Sequence, residues 1–143
     1  MKAEILSVGT ELLLGQIVDT NAAYIARRLA ELGITLYRKT TIGDNLARAS
    51  AAVREALQRA DVVIATGGLG PTEDDLTREA VADALSVRLV ESPEVLASLA
   101  RFFGARGACM TENNRRQALC PEPGAGRLIP NPMGTAPGVL FEA

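Results

Sequence analysis

Apolar runs and amphipathic stretches alternate along the first part of the chain. Ala3–Val8 is a short apolar run ending at Gly9, the pattern of a buried strand. Asp19-Thr20-Asn21 offers helix caps, after which Ala22, Tyr24, Ile25, Leu29 and Leu32 recur near helical spacing up to Gly33, a C-terminal stop. Ile34–Ile42 is β-branched and partly alternating, and predicts a second strand. Asp44-Asn45 then caps a helix through about Arg59, with Leu46, Ala49, Val53, Ala56 and Leu57 on its inner face. Val62-Val63-Ile64-Ala65 is a continuous apolar run, typical of a strand covered on both faces. Glycines follow, and then a helix is predicted from about Glu73 to Leu85.

The later part is less regular. Val87–Val90 predicts a short strand, Pro93 opens a helix through about Gly104, and Thr111 caps a short helix to Leu119. Pro121–Pro137 is dense in Pro and Gly and predicts turns or extended chain. Val139–Phe141 reads as a last strand that begins an element without completing it. The expectation is one domain over residues 1–143 that is a C-terminally truncated fragment of a longer gene product. Strands joined by helical crossovers imply parallel pairing in right-handed βαβ units. The predicted fold class is α/β: a three-layer α/β/α, doubly wound domain with a mostly parallel sheet.

Composition narrows the function. Apolar residues make up 48% and charged residues 22%, which is globular. Aromatics are 3% with no Trp, and the net charge is −2, so neither base-stacking platforms nor an electrostatic footprint for nucleic acid is present. Histidine is absent, which removes the usual general base and excludes Ser-His-Asp and Cys-His arrangements. Cys109 and Cys120 lack metal spacing and read as small hydrophobes. Glu4 and Glu11 interrupt any signal-peptide core, and no run of about 18 apolar residues occurs, so a cytoplasmic protein without a membrane partner is expected.

The candidate chemistry lies at Gly67-Gly68-Leu69-Gly70-Pro71-Thr72-Glu73-Asp74-Asp75. In parallel α/β sheets, ligands sit beyond the carboxyl ends of the strands, and glycines there let backbone N–H groups approach an anion. The segment is neither a Walker A loop nor GxGxxG, because Glu73 stands where the third glycine belongs. Three acids after an anion-binding loop admit two explanations. A divalent cation can bridge carboxylate and diphosphate. Alternatively, Thr72 caps the helix and the acids complement its dipole. Glu11, after the first strand, and Asp44, after the second, belong to the same expected sheet edge as Asp75. Asn113, Asn114, Arg115, Arg116 and Gln117 add amides and positive charge suited to a nucleotide or phosphates. The ordinary alternatives are a helix cap for Asp44, a solvated loop acid for Glu11 and a solvated helix face for Asn113–Gln117.

The strings Val8–Gly15, Asp19–Asn21, Thr66–Thr77, Thr111–Ala118 and Asn131–Gly138 together resemble the N-terminal domain of the CinA (competence/damage-inducible) family over nearly the whole chain. That domain is related to the molybdopterin-binding domains of MogA, MoaB and MoeA, whose GG-x-G…D-x-T loop falls on Gly67, Gly68, Gly70, Asp75 and Thr77. The resemblance implies metal-dependent hydrolysis of a nucleotide-sugar diphosphate, ADP-ribose pyrophosphatase type. Catalytic roles would fall on Asp75, Asp44 and Glu11, and a divalent cation (Mg2+ or similar) on Asp44 and Asp75; a monovalent cation is a further candidate cofactor. Gly67, Gly68, Leu69, Gly70, Pro71, Thr72, Thr10, Asn21, Asn113 and Asn114 would bind phosphate or nucleotide. Two alternatives stand beside it: a molybdopterin-binding protein of molybdenum-cofactor biosynthesis, and a non-catalytic nucleotide-binding module. The expected partner is a phosphorylated small molecule, ADP-ribose or a pterin, and the family implies a homo-oligomer.

Overall fold

A computed structural model describes residues 1–142 of the chain. They pack as two compact units, divided between Gly68 and Leu69 within the glycine loop.

The first unit is a parallel sheet with the strand order β2-β1-β3. It runs β1 (Lys2–Val8), α1 (Thr10–Leu13), α2 (Thr20–Glu31), β2 (Thr35–Ile42), α3 (Leu46–Leu57) and β3 (Val62–Thr66). The chain leaves the central strand to one side for β2, then crosses back to place β3 on the other side, which is the doubly wound arrangement. Central β1 is buried from Ala3 to Val8, and its side chains alternate between faces. Ala3 and Ile5 pack with Ala22 and Leu29 of α2, while Ala49, Val53 and Ala56 are the buried face of α3. β3 is half-buried along its length: Val62 and Ile64 pack on the α2 cluster and α3 also contacts the strand, while among the described residues its outer edge has no partner strand in this sheet.

Caps follow the sequence in part. Asp19 accepts the Ala22 N–H at 2.9 Å and so starts α2. Asn45, not Asp44, caps α3, accepting the Arg48 N–H at 3.0 Å. Helix α1 was not expected, and it places Glu11 in a helical first turn.

One buried charge stabilises β1. Glu4 is fully buried, and Arg59 holds it with a two-pronged contact, Nε to Oε1 at 2.9 Å and Nη2 to Oε2 at 3.1 Å. The hydrogen bonds from Arg59 hold the Glu4 carboxyl below its ordinary range although burial pushes it up. A carboxyl lowered in this way stabilises the fold above the ordinary carboxylate range, and that contribution is lost as pH falls through the lowered value. Arg59→Met strands the carboxylate, so its melting temperature is expected to lie several degrees below wild type at neutral pH. The gap should narrow as acid protonates Glu4 in the variant. Thermal melts across pH test this, and a gap that does not change with pH would show that the pair is not its source.

The second unit contains α4 (Thr77–Leu85), β4 (Leu89–Glu91), α5 (Pro93–Gly104), α6 (Glu112–Arg115), a 3-10 turn (Arg116–Ala118), β5 (Leu119–Pro121), β6 (Gly126–Ile129) and β7 (Gly138–Phe141). Its strands form two antiparallel ladders, β4 with β5 and β6 with β7. Val95 and Leu99 of α5 pack on Ala118 to make its core, with Leu96, Phe103, Met110 and Leu128 around them. Two expectations are corrected here. Helix α4 begins at Thr77, not Glu73, so the acids lie in a turn ahead of it. The predicted helix to Leu119 gives way after Arg115 to the 3-10 turn and a strand. The extended chain expected in the Pro/Gly-rich segment includes β6. Cys120 is half-buried, but Cys109 is exposed and does not act as a core hydrophobe. No helix among the described residues is long and apolar enough to cross a membrane.

Candidate functional site

In a doubly wound sheet the chain reverses direction at one point, and the loops beyond the strand ends diverge there to leave a crevice. In the first unit that point lies between β1 and β3. A cleft of about 130 Å³ opens there, lined by Val8, Glu11, Leu12, Ile17, Val18, Asp19, Thr20, Asn21, Thr66 and Gly67. The expected residues Glu11, Asn21 and Gly67 are therefore brought together. Asn21 donates to Thr66 Oγ1 at 3.3 Å, which ties the start of α2 to the end of β3. Thr66 and the apolar wall of Ile17 and Val18 were not anticipated as site residues. Their only signal was position: Thr66 is the last residue of a strand, and Ile17 and Val18 are apolar yet exposed.

Backbone geometry explains the glycines at the cleft. Gly67 has φ +91, and a Cβ built on it would lie 2.1 Å from the Val8 carbonyl oxygen. At Gly9 a Cβ would lie 2.6 Å from Oε1 of Glu11, so the Glu11 side chain folds back over that residue. Without a side chain at Gly67 the backbone itself forms the wall there, and at Gly9 the Glu11 side chain takes the space.

Asp44 and Thr10 are joined reciprocally: Thr10 N–H donates to Asp44 Oδ2 at 2.8 Å, and Asp44 N–H donates to Thr10 Oγ1 at 3.1 Å. The exchange braces the loop after β1 against the loop after β2, assisted by Gly9 N–H to the Ile42 carbonyl at 2.9 Å. Asp44 thus satisfies the first turn of α1 and not that of α3.

The second unit carries the rest of the expected set, in two groups. Asp75 Oδ2 accepts from the Thr72 N–H at 2.8 Å and from the Thr72 hydroxyl, closing a tight turn. A Cβ on Gly70 would lie 2.6 Å from Asp75 Oδ2, so the loop presses directly on the carboxylate. Partial burial pushes the Asp75 carboxyl up. The bonds from Thr72 and Gly70, with the Arg116 charge, outweigh it and hold the group below the ordinary range. Asn114 Oδ1 accepts from both the N–H and the hydroxyl of Thr111, at 2.9 and 2.8 Å, so it serves the start of α6, where Asn113 also lies. Arg115 is paired with Glu91 at 2.7 Å. Gln117 donates to Thr135 Oγ1 at 3.0 Å, beside the turn that Asn131 closes on Ala136. Among the described residues no three carboxylate or thiol groups gather closely enough to hold a metal ion unaided.

Comparison with known proteins adds three findings. The family described as "Probable molybdopterin binding domain" matches residues 4–143. A CinA-like protein of Deinococcus radiodurans is 58% identical over 137 residues, 95% of this chain and 33% of that protein. The chain spans about a third of the length of the curated relatives it matches. Among solved structures, the protein CinA with unknown function from Thermoplasma acidophilum superposes with a TM-score of 0.90 at 35% identity, covering 99% of this chain and 82% of that one. The molybdopterin biosynthesis enzyme MoaB from Thermus thermophilus superposes at 0.55, with 25% identity over 76% of this chain and 67% of its own.

Proposed function

The chain belongs to the probable molybdopterin binding domain family, and on that premise we propose that it binds a phosphorylated small molecule of the molybdopterin class. The observation that carries this reading is the cleft at the switch point of the sheet, walled by Gly67 and edged by Asn21, Thr66 and Glu11. At about 130 Å³ it is smaller than the roughly 300–1,000 Å³ typical of complete ligand sites. It suits a phosphoryl group with part of its carrier, and the rest of the ligand extends beyond it. In the glycine loop the Gly68 N–H is the one offered to the phosphate, since those of Gly70 and Thr72 go to the Asp75 carboxylate. The polar atoms of Asn21 and Thr66 meet hydroxyl or ring nitrogen groups.

A divalent cation fits the donor set as a phosphate-bridging ion, since Mg2+ is commonly held by one or two carboxylates together with ligand phosphates and water. Each unit by itself offers one such carboxylate, Asp44 in the first and Asp75 in the second. In each, one oxygen is engaged by a backbone N–H of its own unit. When bound, the ion would neutralise phosphate charge that bare carboxylates would otherwise repel.

A second reading, hydrolysis of an ADP-ribose-type diphosphate, rests on what the resemblance of the motif strings to the CinA family implies. The CinA structure on which the chain superposes is itself of unknown function. With no histidine, a carboxylate such as Glu11 or Asp74 would take the proton from water as a P–O bond of the diphosphate breaks.

One experiment separates the two. The purified chain is incubated with ADP-ribose, with and without Mg2+, and AMP and ribose 5-phosphate are quantified. In parallel, molybdopterin binding is titrated and ATP-dependent nucleotide transfer is followed. Saturable pterin binding without ADP-ribose cleavage supports the first reading, and Mg2+-dependent release of AMP supports the second. Failure to bind or cleave either compound would overturn both.

A further inference from the structure

Arg116 gathers three acceptors in the second unit. Nη1 donates to the Thr72 carbonyl at 2.8 Å, and Nη2 donates to Glu79 Oε1 at 2.9 Å with a longer approach to the Asp75 carbonyl at 3.5 Å. Its backbone is fixed as well, because the Arg116 carbonyl accepts from Arg78 Nη1 at 2.8 Å and Arg78 is only 3% exposed. One planar guanidinium therefore spans the acid turn and the first turns of α4. Donors so occupied do not make a free cation awaiting phosphate. Arg115 is likewise committed, to Glu91 and Glu112.

The two carbonyls matter because the peptide group is planar and trans. Pinning the Thr72 carbonyl on Arg116 directs the Glu73 N–H the opposite way. The Asp75 carboxylate fixes the same turn from inside, through the Thr72 N–H and hydroxyl. The turn is thus closed at two independent points, one by a residue about forty positions later in the chain.

We infer that Arg116 is a positioning residue, which fastens the Thr72–Asp75 turn to Glu79 of α4 and so holds the end of the glycine loop in its ligand-receiving conformation, an inference that rests on the phosphate-binding reading of that loop. Glu79 is its anchor, held at 2.9 Å. Lysine keeps the charge but has no planar fork to serve Thr72 and Glu79 together, so it restores only part of the function.

The test measures affinity for ADP-ribose and for molybdopterin in wild type, Arg116→Met, Arg116→Lys and Leu99→Val. The last is a core change in α5 that lowers stability without touching the turn. Backbone amide exchange of residues 72–76 is followed in each protein. Arg116→Met is expected to weaken binding of whichever probe the wild type takes by roughly tenfold or more. Because geometry rather than long-range charge is lost, the loss should persist between about 50 mM and about 500 mM salt. Exchange in the turn should accelerate in Arg116→Met and stay unchanged in Leu99→Val, whose affinity stays that of wild type. Unchanged exchange in Arg116→Met would overturn the inference, whatever the ligand does. So would wild-type affinity in that variant, full rescue by lysine with a loss that vanishes at high salt, or an equal loss in Leu99→Val. Wild type that binds neither probe counts against the proposed function instead, and exchange in the turn still decides whether Arg116 fastens it.

Discussion

Alanine in place of Gly67 is expected to destabilise the chain by about 3 kcal/mol or more and to abolish ligand binding. Two costs add. The backbone at φ +91 lies outside what an L side chain adopts at ease, worth about 1–2 kcal/mol even in the nearest permitted region. The new methyl would also sit 2.1 Å from the Val8 carbonyl oxygen, far inside contact distance. Val8 cannot give way, since it ends the central strand and is itself buried. The loop must move instead, and it forms the wall of the cleft. Gly33→Ala provides the comparison: φ is +69 there, with nothing within 4 Å of the added carbon. That variant should lose about 1 kcal/mol and bind normally. Denaturant melts with ligand titrations on both variants decide the matter. Equal losses would mean that the close approach to Val8 contributes nothing.

The layers of the first unit were legible because its segments obey one rule each. Ala3–Val8 carries a long apolar run and becomes the buried central strand, and of the Ala22–Leu32 periodicity Ala22, Ile25 and Leu29 become the core face of α2, while Tyr24 and Leu32 are exposed. The second unit obeys no single rule. Strands of three or four residues such as β5 and β6 are too short for alternation to register, and they form through partners about thirty and about a dozen residues away in sequence. Cap chemistry misled in a different way. Thr72 followed by three acids looks like a helix start, but the Asp75 carboxylate closes on Thr72 first, and that local bond competes with helix formation. Helix α4 then begins at Thr77 without a side-chain cap. Asp44 is the same lesson across a longer distance. Its sequence neighbours suggest a cap for α3, yet its carboxylate goes to Thr10, thirty-four positions away. The loop glycines, by contrast, stand out in the sequence by their place directly after the third strand. What composition could not show was which of them is sterically compelled and against which atom.

Replacing Asp75 by asparagine is expected to leave a folded protein that has lost its ligand chemistry. Asparagine keeps an acceptor for the Thr72 N–H, so the turn survives in outline, but the charge that strengthens both Thr72 bonds is gone. Hydrogen bonds to a charged acceptor are worth about 1.5–3 kcal/mol. With asparagine retaining part of this, the stability loss at neutral pH is about 1 kcal/mol. Its pH dependence has a definite sign. The wild-type carboxyl lies below its ordinary range, so its contribution is complete above that range and is lost as pH falls through the lowered value. Asparagine does not titrate, and the two melting curves should converge in acid. The effect on function is larger. An anion-bridging cation needs the carboxylate charge, so Mg2+-dependent binding or turnover should fall about a hundredfold. Asp74→Asn, one residue earlier and exposed, gives the local comparison for charge alone. Full activity in a well-folded Asp75→Asn protein would remove Asp75 from the chemistry and leave it as the closure of a turn. Loss of Mg2+ dependence together with activity would instead tie the ion to this carboxylate, and with it the acid-rich turn to the phosphate it follows.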